Sequence, residues 1–259
     1  MIQSNKENIK ISSIIIAKNE QSNIRRCLDS QIGVIDDLVL LIDSSTTDDT
    51  FKIASSYPGI YCEVVDWKGF ADMKTYALSK TKNQWVFWID ADEEITNELK
   101  IELESFKESL PKYKGYKVAR RAFFLGKWIK HSGWYPSMVT RLFNINFAQF
   151  NSKSVHEGLE INGEVGSLKN DLNHYTDPTI DHYFKKFNSY TSLAALDLFN
   201  QGKKASLADF LFRPIFLFVK MYIFRLGFLD GIHGLILAFF SSAYVFTKYA
   251  KLWELNKTK

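Results

Sequence analysis

Cysteine is scarce: the 259 residues hold two, Cys27 and Cys62, without metal-ligand spacing. That excludes a disulfide framework and a cysteine-based zinc site, points to a reducing compartment, and leaves each thiol as a small buried hydrophobe. An apolar leader is also missing. Met1 to Lys10 is polar, so the chain is expected to stay in the cytosol. Neither G-x-G-x-x-G nor G-x-x-x-x-G-K-S/T occurs, which removes support for a dinucleotide fold or a P-loop. The longest charge-free stretch of the C-terminal third, Gly231 to Thr247, has 17 residues and is at the short end for a membrane span.

What is present is apolar and aromatic. At 46% hydrophobic and 15% aromatic the chain can bury one large α/β core, with or without a small appendage. The net charge of +4 is uneven. Lys203 to Lys259 carries nine Lys and Arg against three Asp and Glu, leaving the first 202 residues slightly acidic. A basic excess on the greasiest part of the chain suits an anionic membrane surface better than nucleic acid. Helices lying in the interface are favoured over a span. They would expose a face holding Phe210, Phe216, Phe218, Phe224, Leu235, Phe239 and Phe240.

The most informative stretch is Gln84 to Glu94, QWVFWIDADEE. Five apolar residues from Trp85 to Ile89 read as a strand buried on both faces, which breaks abruptly into acids. In open α/β sheets ligands bind beyond the carboxyl ends of the strands. Asp90-Ala91-Asp92 separates two carboxylates by one small residue, so both can reach Mg²⁺ or Mn²⁺ while phosphate oxygens complete the shell. A solvated loop leading into an acidic helix start, with Glu93 and Glu94 on the helix dipole, is the plainer alternative.

Strands at Ile11 to Ala17, Leu38 to Ile42, Ile60 to Val65 and Trp85 to Ile89 alternate with helices, including one over Phe70 to Lys80, as in βαβ units of a parallel sheet. Asn19 and Glu20 follow the first strand. Asp43 ends the second, where it can accept from a nucleotide or close an Asx-turn, and Ser45 or Thr47 can cap the next helix. Lys74 can reach a phosphate or be a surface lysine. Beyond a helix over Asn97 to Leu110, strands are expected at Gly115 to Gly126 and Met138 to Phe143, joined by His131-Ser132-Gly133-Trp134-Tyr135-Pro136. Trp134 and Tyr135 can stack on a sugar or pack as a satellite cluster. Asn162-Gly163 reads as a hairpin turn flanked by Val155-His156-Glu157 and Leu172-Asn173-His174-Tyr175.

Together Ile16 to Glu20, Asp43 to Asp48, Gly69-Phe70 with Lys74, Asp90 to Glu93, Gly133 to Pro136, Arg141-Leu142-Phe143, Val155-His156-Glu157 and Phe228 to Gly231 with His233-Gly234 resemble the inverting glycosyltransferases of the GT-A, family 2 group. The likeness is to the bacterial lipopolysaccharide core β-1,4-glucosyltransferase branch. It implies an α/β GT-A domain, Rossmann-like with a mostly parallel sheet, over residues 1–178 (donor half 1–112, acceptor half 113–178), and a membrane-associating helical region over 179–259. It implies a nucleotide-diphosphate sugar donor, expected to be a UDP-sugar, with Asn19, Glu20, Asp43, Lys74 and Asp90 around it. Asp92, Asp90 and His174 would hold Mg²⁺ or Mn²⁺, and Glu157 would be the catalytic base. Trp134, Tyr135 and His156 would face a lipid-linked saccharide acceptor at the cytoplasmic face of the bacterial inner membrane. The loop Asp43-Ser44-Ser45-Thr46-Thr47-Asp48 lacks the glycine usual there, a departure in how its backbone approaches the donor. A sugar-nucleotide pyrophosphorylase would show an early Gly-rich loop where Lys18-Asn19-Glu20 stands. A non-catalytic sugar-binding protein would have lost the acid pair.

Overall fold

The computed structural model describes residues 8–150 and 158–257. The chain forms two compact units, one of Met1–Arg120 with Met138–His174, the other of Arg121–Ser137 with Tyr175–Lys259.

Unit one begins with β1 (Ile11–Ala17), α1 (Ile24–Asp29), β2 (Asp37–Asp43), α2 (Thr50–Ser55), β3 (Tyr61–Val65), α3 (Phe70–Lys80) and β4 (Trp85–Trp88). The β-branched run of β1 makes it central. Ile11 and Ile15 pack into one core with Leu40, Ile42 and Phe87, while Ile14 faces a second with Val39, Leu41 and Val86. The period of two thus buries both faces of the strand. β2 and β4 flank β1 in parallel, and β3 lies parallel to β2.

The chain continues through β5 (Glu93–Ile95), α4 (Asn97–Lys107), β6 (Gly115–Phe124), β7 (Lys127–Trp128), β8 (Ser137–Asn144), β9 (Ala148–Phe150), β10 (Leu159–Ile161) and β11 (Val165–Asp177). The sheet runs β3-β2-β1-β4-β8-β6-β11-β5, with β7 on β6. β8 joins β4 antiparallel and β5 joins β11 antiparallel. Two expectations are corrected. Glu93 and Glu94 belong to a short strand, because pairing with β11 outweighs their preference for a helix start. Asn162-Gly163 is not the turn of a β10–β11 hairpin, since β10 pairs with β9, setting Leu159 opposite Phe150 and Ile161 opposite Ala148. The local turn signal is real, with Gly163 at φ 139°, but Leu159 and Ile161 pack with β9 on the second core instead.

Unit two contains α5 (Ile180–Asn200), α6 (Leu207–Val219) and α7 (Ile232–Lys257). Pro214 sits inside α6, and one turn of π-helix over Lys220–Phe224 follows, shifting the phase of the polar residues beyond it. A 3-10 turn, Gly227–Asp230, leads into α7. The turn depends on glycine, because a Cβ on Gly234 would lie 1.8 Å from the Gly227 carbonyl oxygen. No helix of the described residues is long and apolar enough to cross a membrane. Many large side chains are nevertheless exposed, among them Phe212, Phe216, Phe224 and Phe239, each by more than 60%. Leu235 is exposed too, whereas Phe218 and Phe240 pack on the unit's own core and Phe210 meets Phe246.

Candidate functional site

The carboxyl ends of β1, β2 and β4 point the same way, so their following residues line one edge of the sheet in unit one. At the end of β2, the Asp43 carboxylate accepts from the Ser45 backbone N–H (2.8 Å) and hydroxyl (2.6 Å) and pairs with Lys18 Nζ at 3.2 Å. The hydrogen bond from the Ser45 hydroxyl, then that from its backbone, then Lys18, hold this carboxyl below its usual range. The Asx-turn is therefore present, which leaves Ser45 no part in capping α2. Thr47 does not cap it either: the N-cap of α2 is Asp49, which makes no side-chain cap hydrogen bond, and the residue before it, Asp48, accepts from the Thr50 N–H at 3.0 Å. After β1, Asn19 adopts a left-handed φ of 54°, and its Oδ1 accepts from the Thr47 N–H at 2.8 Å. The Glu20 N–H donates to Thr50 Oγ1 at 2.8 Å. The two loops are stitched together by side chains, which supplies the order that a glycine-rich loop would obtain otherwise.

At the end of β4 the acids divide their work. Asp90 Oδ2 lies 2.5 Å from Arg141 Nη2, and the same nitrogen is 2.6 Å from Oε1 of Glu93. Glu93 is fully buried, with Arg120 Nη1 at 3.6 Å, and its Oε2 accepts from the Asp90 N–H at 3.0 Å. The Arg141 guanidinium also lies over the Trp88 ring, 4.5 Å from its centre. Burial pushes the Glu93 carboxyl up, with Arg141 offsetting only part of this. Desolvation would raise Asp90 too, but the Arg141 charge brings it below its usual range. Glu93 and Arg141 are the site residues that composition did not reveal. An arginine inside the apolar run of β8 was the available signal, because a buried cation needs an acid opposite.

Asp92 is left to face elsewhere. Its Oδ2 lies 3.4 Å from His174 Nε2, and both side chains are 18% exposed. The strand register brings them together, since His174 stands opposite Glu93 where β11 pairs with β5. The donor set fits a hard divalent cation. One carboxylate and one imidazole converge, and no further His, Cys, Asp or Glu among the described residues completes a cluster of three, so diphosphate and water oxygens would fill the remaining positions. Lys74 is buried, 9% exposed, with Nζ 3.8 Å from the centre of the Trp88 ring, which corrects the surface alternative.

Trp134 and Tyr135 lie in unit two, where Trp134 packs edge-on against Phe124 and Tyr135 against Trp128. Their loop is anchored by Asp230, whose carboxylate accepts from the His131 N–H (2.9 Å) and lies 3.1 Å from His131 Nδ1, while its carbonyl accepts from Lys127 Nζ (2.8 Å). His156 and Glu157 fall outside the described residues.

A parallel α/β half with acids at its strand ends, continued by antiparallel strands that return a histidine to the second of those acids, defines a GT-A fold. A mannosyltransferase from Pyrobaculum calidifontis, solved with GDP-mannose and Mn²⁺, shares it at a TM-score of 0.55 and 14% identity, over 96% of this chain and 88% of that one. The sequence profile of glycosyl transferase family 2 matches residues 12–157, and the chain belongs to that family. An uncharacterized glycosyltransferase of Rickettsia prowazekii is 31% identical over 95% of this chain and 88% of its own length. The lipopolysaccharide core biosynthesis glycosyltransferase LpsC of Rhizobium meliloti is 28% identical over 97% of this chain and 94% of its own.

Proposed function

We propose that this family 2 glycosyltransferase moves a hexose, with inversion, from a nucleotide-diphosphate sugar to a lipid-linked saccharide of the cell envelope, working at the cytoplasmic face of the bacterial inner membrane. The observation that carries the donor side is the Asp92–His174 pair, 3.4 Å apart at the edge of the sheet. Those two residues would hold Mg²⁺ or Mn²⁺, which when bound supplies positive charge against the departing diphosphate. Asp43, at the end of β2, accepts from the ribose or base of a uridine nucleotide. Arg141 keeps Asp90 oriented and stops it competing for the position of Asp92. Glu157 removes the proton of the acceptor hydroxyl as that oxygen attacks the anomeric carbon, and one displacement inverts the configuration. Trp134, Tyr135 and His156 serve the acceptor.

The name of the relative LpsC supports an envelope acceptor. For the membrane side the support is physical. Exposed aromatic and aliphatic residues of α6 and α7 lie in a stretch with a basic excess, and a bilayer surface suits both features.

The test is turnover of a panel of UDP- and GDP-sugars by the full chain with Mn²⁺, Mg²⁺ or chelator, using lipid-linked saccharides as acceptors and reading the product anomer by NMR. Turnover undiminished by chelator would remove the metal, and a retained anomeric configuration would remove the single displacement.

A further inference from the structure

A nucleobase is held by hydrogen bonds to its edge and by a ring stacked on its face. Asp43 can supply the first. The donor chemistry described so far includes nothing that supplies the second.

The period of two along the parallel strands fixes which side of the sheet the nucleotide meets. Ile14 and Ile16 of β1, Val39 and Leu41 of β2, and Val86 and Trp88 of β4 all pack in the second core with Met73 and Ala77 of α3. Continuing each alternation by two residues brings Lys18, Asp43 and Asp90 to that same side. The Lys18–Asp43 pair at 3.2 Å fits this, as does Lys74 of α3, whose Nζ is 3.8 Å from the centre of the Trp88 ring. The nucleotide end of the site therefore lies on the α3 side of the sheet, at the carboxyl edge of the strands.

In β3, Val65 belongs to the second core and stands opposite Asp43 in the register. Four residues, Asp66 to Gly69, then carry the chain from that strand end to α3, so they cross the same side. Their start is tied to the Asp43 loop. The Ser44 N–H donates to the Val65 carbonyl at 2.8 Å, and the Ser44 hydroxyl to Asp66 Oδ1 at 2.7 Å. Trp67 comes next and is 40% exposed. Lys18 to Asn23, Ser44 to Asp49 and Ile89 to Asp92, which follow the other three parallel strands, contain no aromatic residue. Trp88 is engaged, with Lys74 and Arg141 over its ring and Phe150 packed edge-on against it. Trp67 is therefore the aromatic residue that these four segments present to solvent, beside the carboxylate placed to meet the base.

We propose that Trp67 stacks on the nucleobase of the donor while Asp43 accepts from its edge. Stacking tolerates any base, because every base has a π-face, so Trp67 contributes affinity and leaves the choice of base to Asp43. The proposal rests on the nucleotide-diphosphate donor of the proposed function and needs neither Glu157 nor a membrane.

The experiment is calorimetric titration of the full chain with UDP, GDP and pyrophosphate, each with Mn²⁺. Trp67→Ala should weaken every nucleotide that wild type binds on the order of tenfold and leave pyrophosphate, which has no base, unchanged. Trp67→Phe should recover most of the loss. Unchanged nucleotide affinity in Trp67→Ala overturns the stacking role, as does a Trp67→Phe variant as weak as Trp67→Ala. An equal loss for pyrophosphate also overturns it, because Trp67 would then act by holding its loop in place. Each of those results leaves the nucleotide donor standing. If wild type binds neither nucleotide, the donor assignment fails and the stacking role with it.

Discussion

Replacing Arg141 by methionine tests the electrostatic arrangement at the end of β4 most directly. The side chain is 2% exposed, and one of its nitrogens spans Asp90 and the fully buried Glu93. Methionine keeps most of the volume and the contact with Trp88 but leaves the Glu93 carboxylate with the Asp90 N–H at 3.0 Å and, as its ion-pair partner, Arg120 at 3.6 Å. Removing one partner of a buried pair costs about 3–5 kcal/mol, because the remaining charge stays desolvated. In a chain of this size that should lower the melting temperature on the order of 10 °C. Urea unfolding is the assay, with Glu93→Gln and the double variant completing a cycle. The double variant should recover part of the loss. The pH dependence has a definite sign. A carboxyl raised in the folded state is destabilising when ionised, so the deficit of Arg141→Met should be large at about pH 8 and shrink as Glu93 takes up a proton toward about pH 5. A loss below about 1 kcal/mol, the range of a surface pair, would refute the reasoning.

Asp92→Asn should abolish turnover and metal-dependent nucleotide binding with an unchanged circular dichroism spectrum, and full activity would rule out the metal role. His174→Ala should raise the Mn²⁺ concentration needed for half-maximal rate without preventing saturation, as titration of the metal would reveal. Glu157→Gln should lower kcat by roughly 10² or more with donor binding nearly unchanged. A collapse of donor affinity at normal kcat would place Glu157 on the donor instead. Gly234→Ala should severely destabilise the protein in thermal denaturation, because its Cβ would overlap the Gly227 carbonyl and α7 would have to shift.

The parallel half was legible because its determinants are local. The run Ile11 to Ala17 is β1 residue for residue, and Phe70 to Lys80 is α3. Uninterrupted β-branched or aromatic residues mark strands buried on both faces, and strand order in βαβ units follows from short right-handed connections. Asp43, Asp90 and Asp92 were legible for the same reason, since a strand's end is also the sheet's edge. Pairing over long sequence separations was not legible. Glu93 opposite His174, and Arg141 between Asp90 and Glu93, bring together groups some 50 to 80 residues apart through the register of β5 on β11 and of β8 on β4. Nothing within a local window distinguishes Glu93, buried and charge-paired, from Asp92, turned toward His174. Only the tertiary register decides which acid is paired with an arginine and which with a histidine, because that depends on what lies across the sheet.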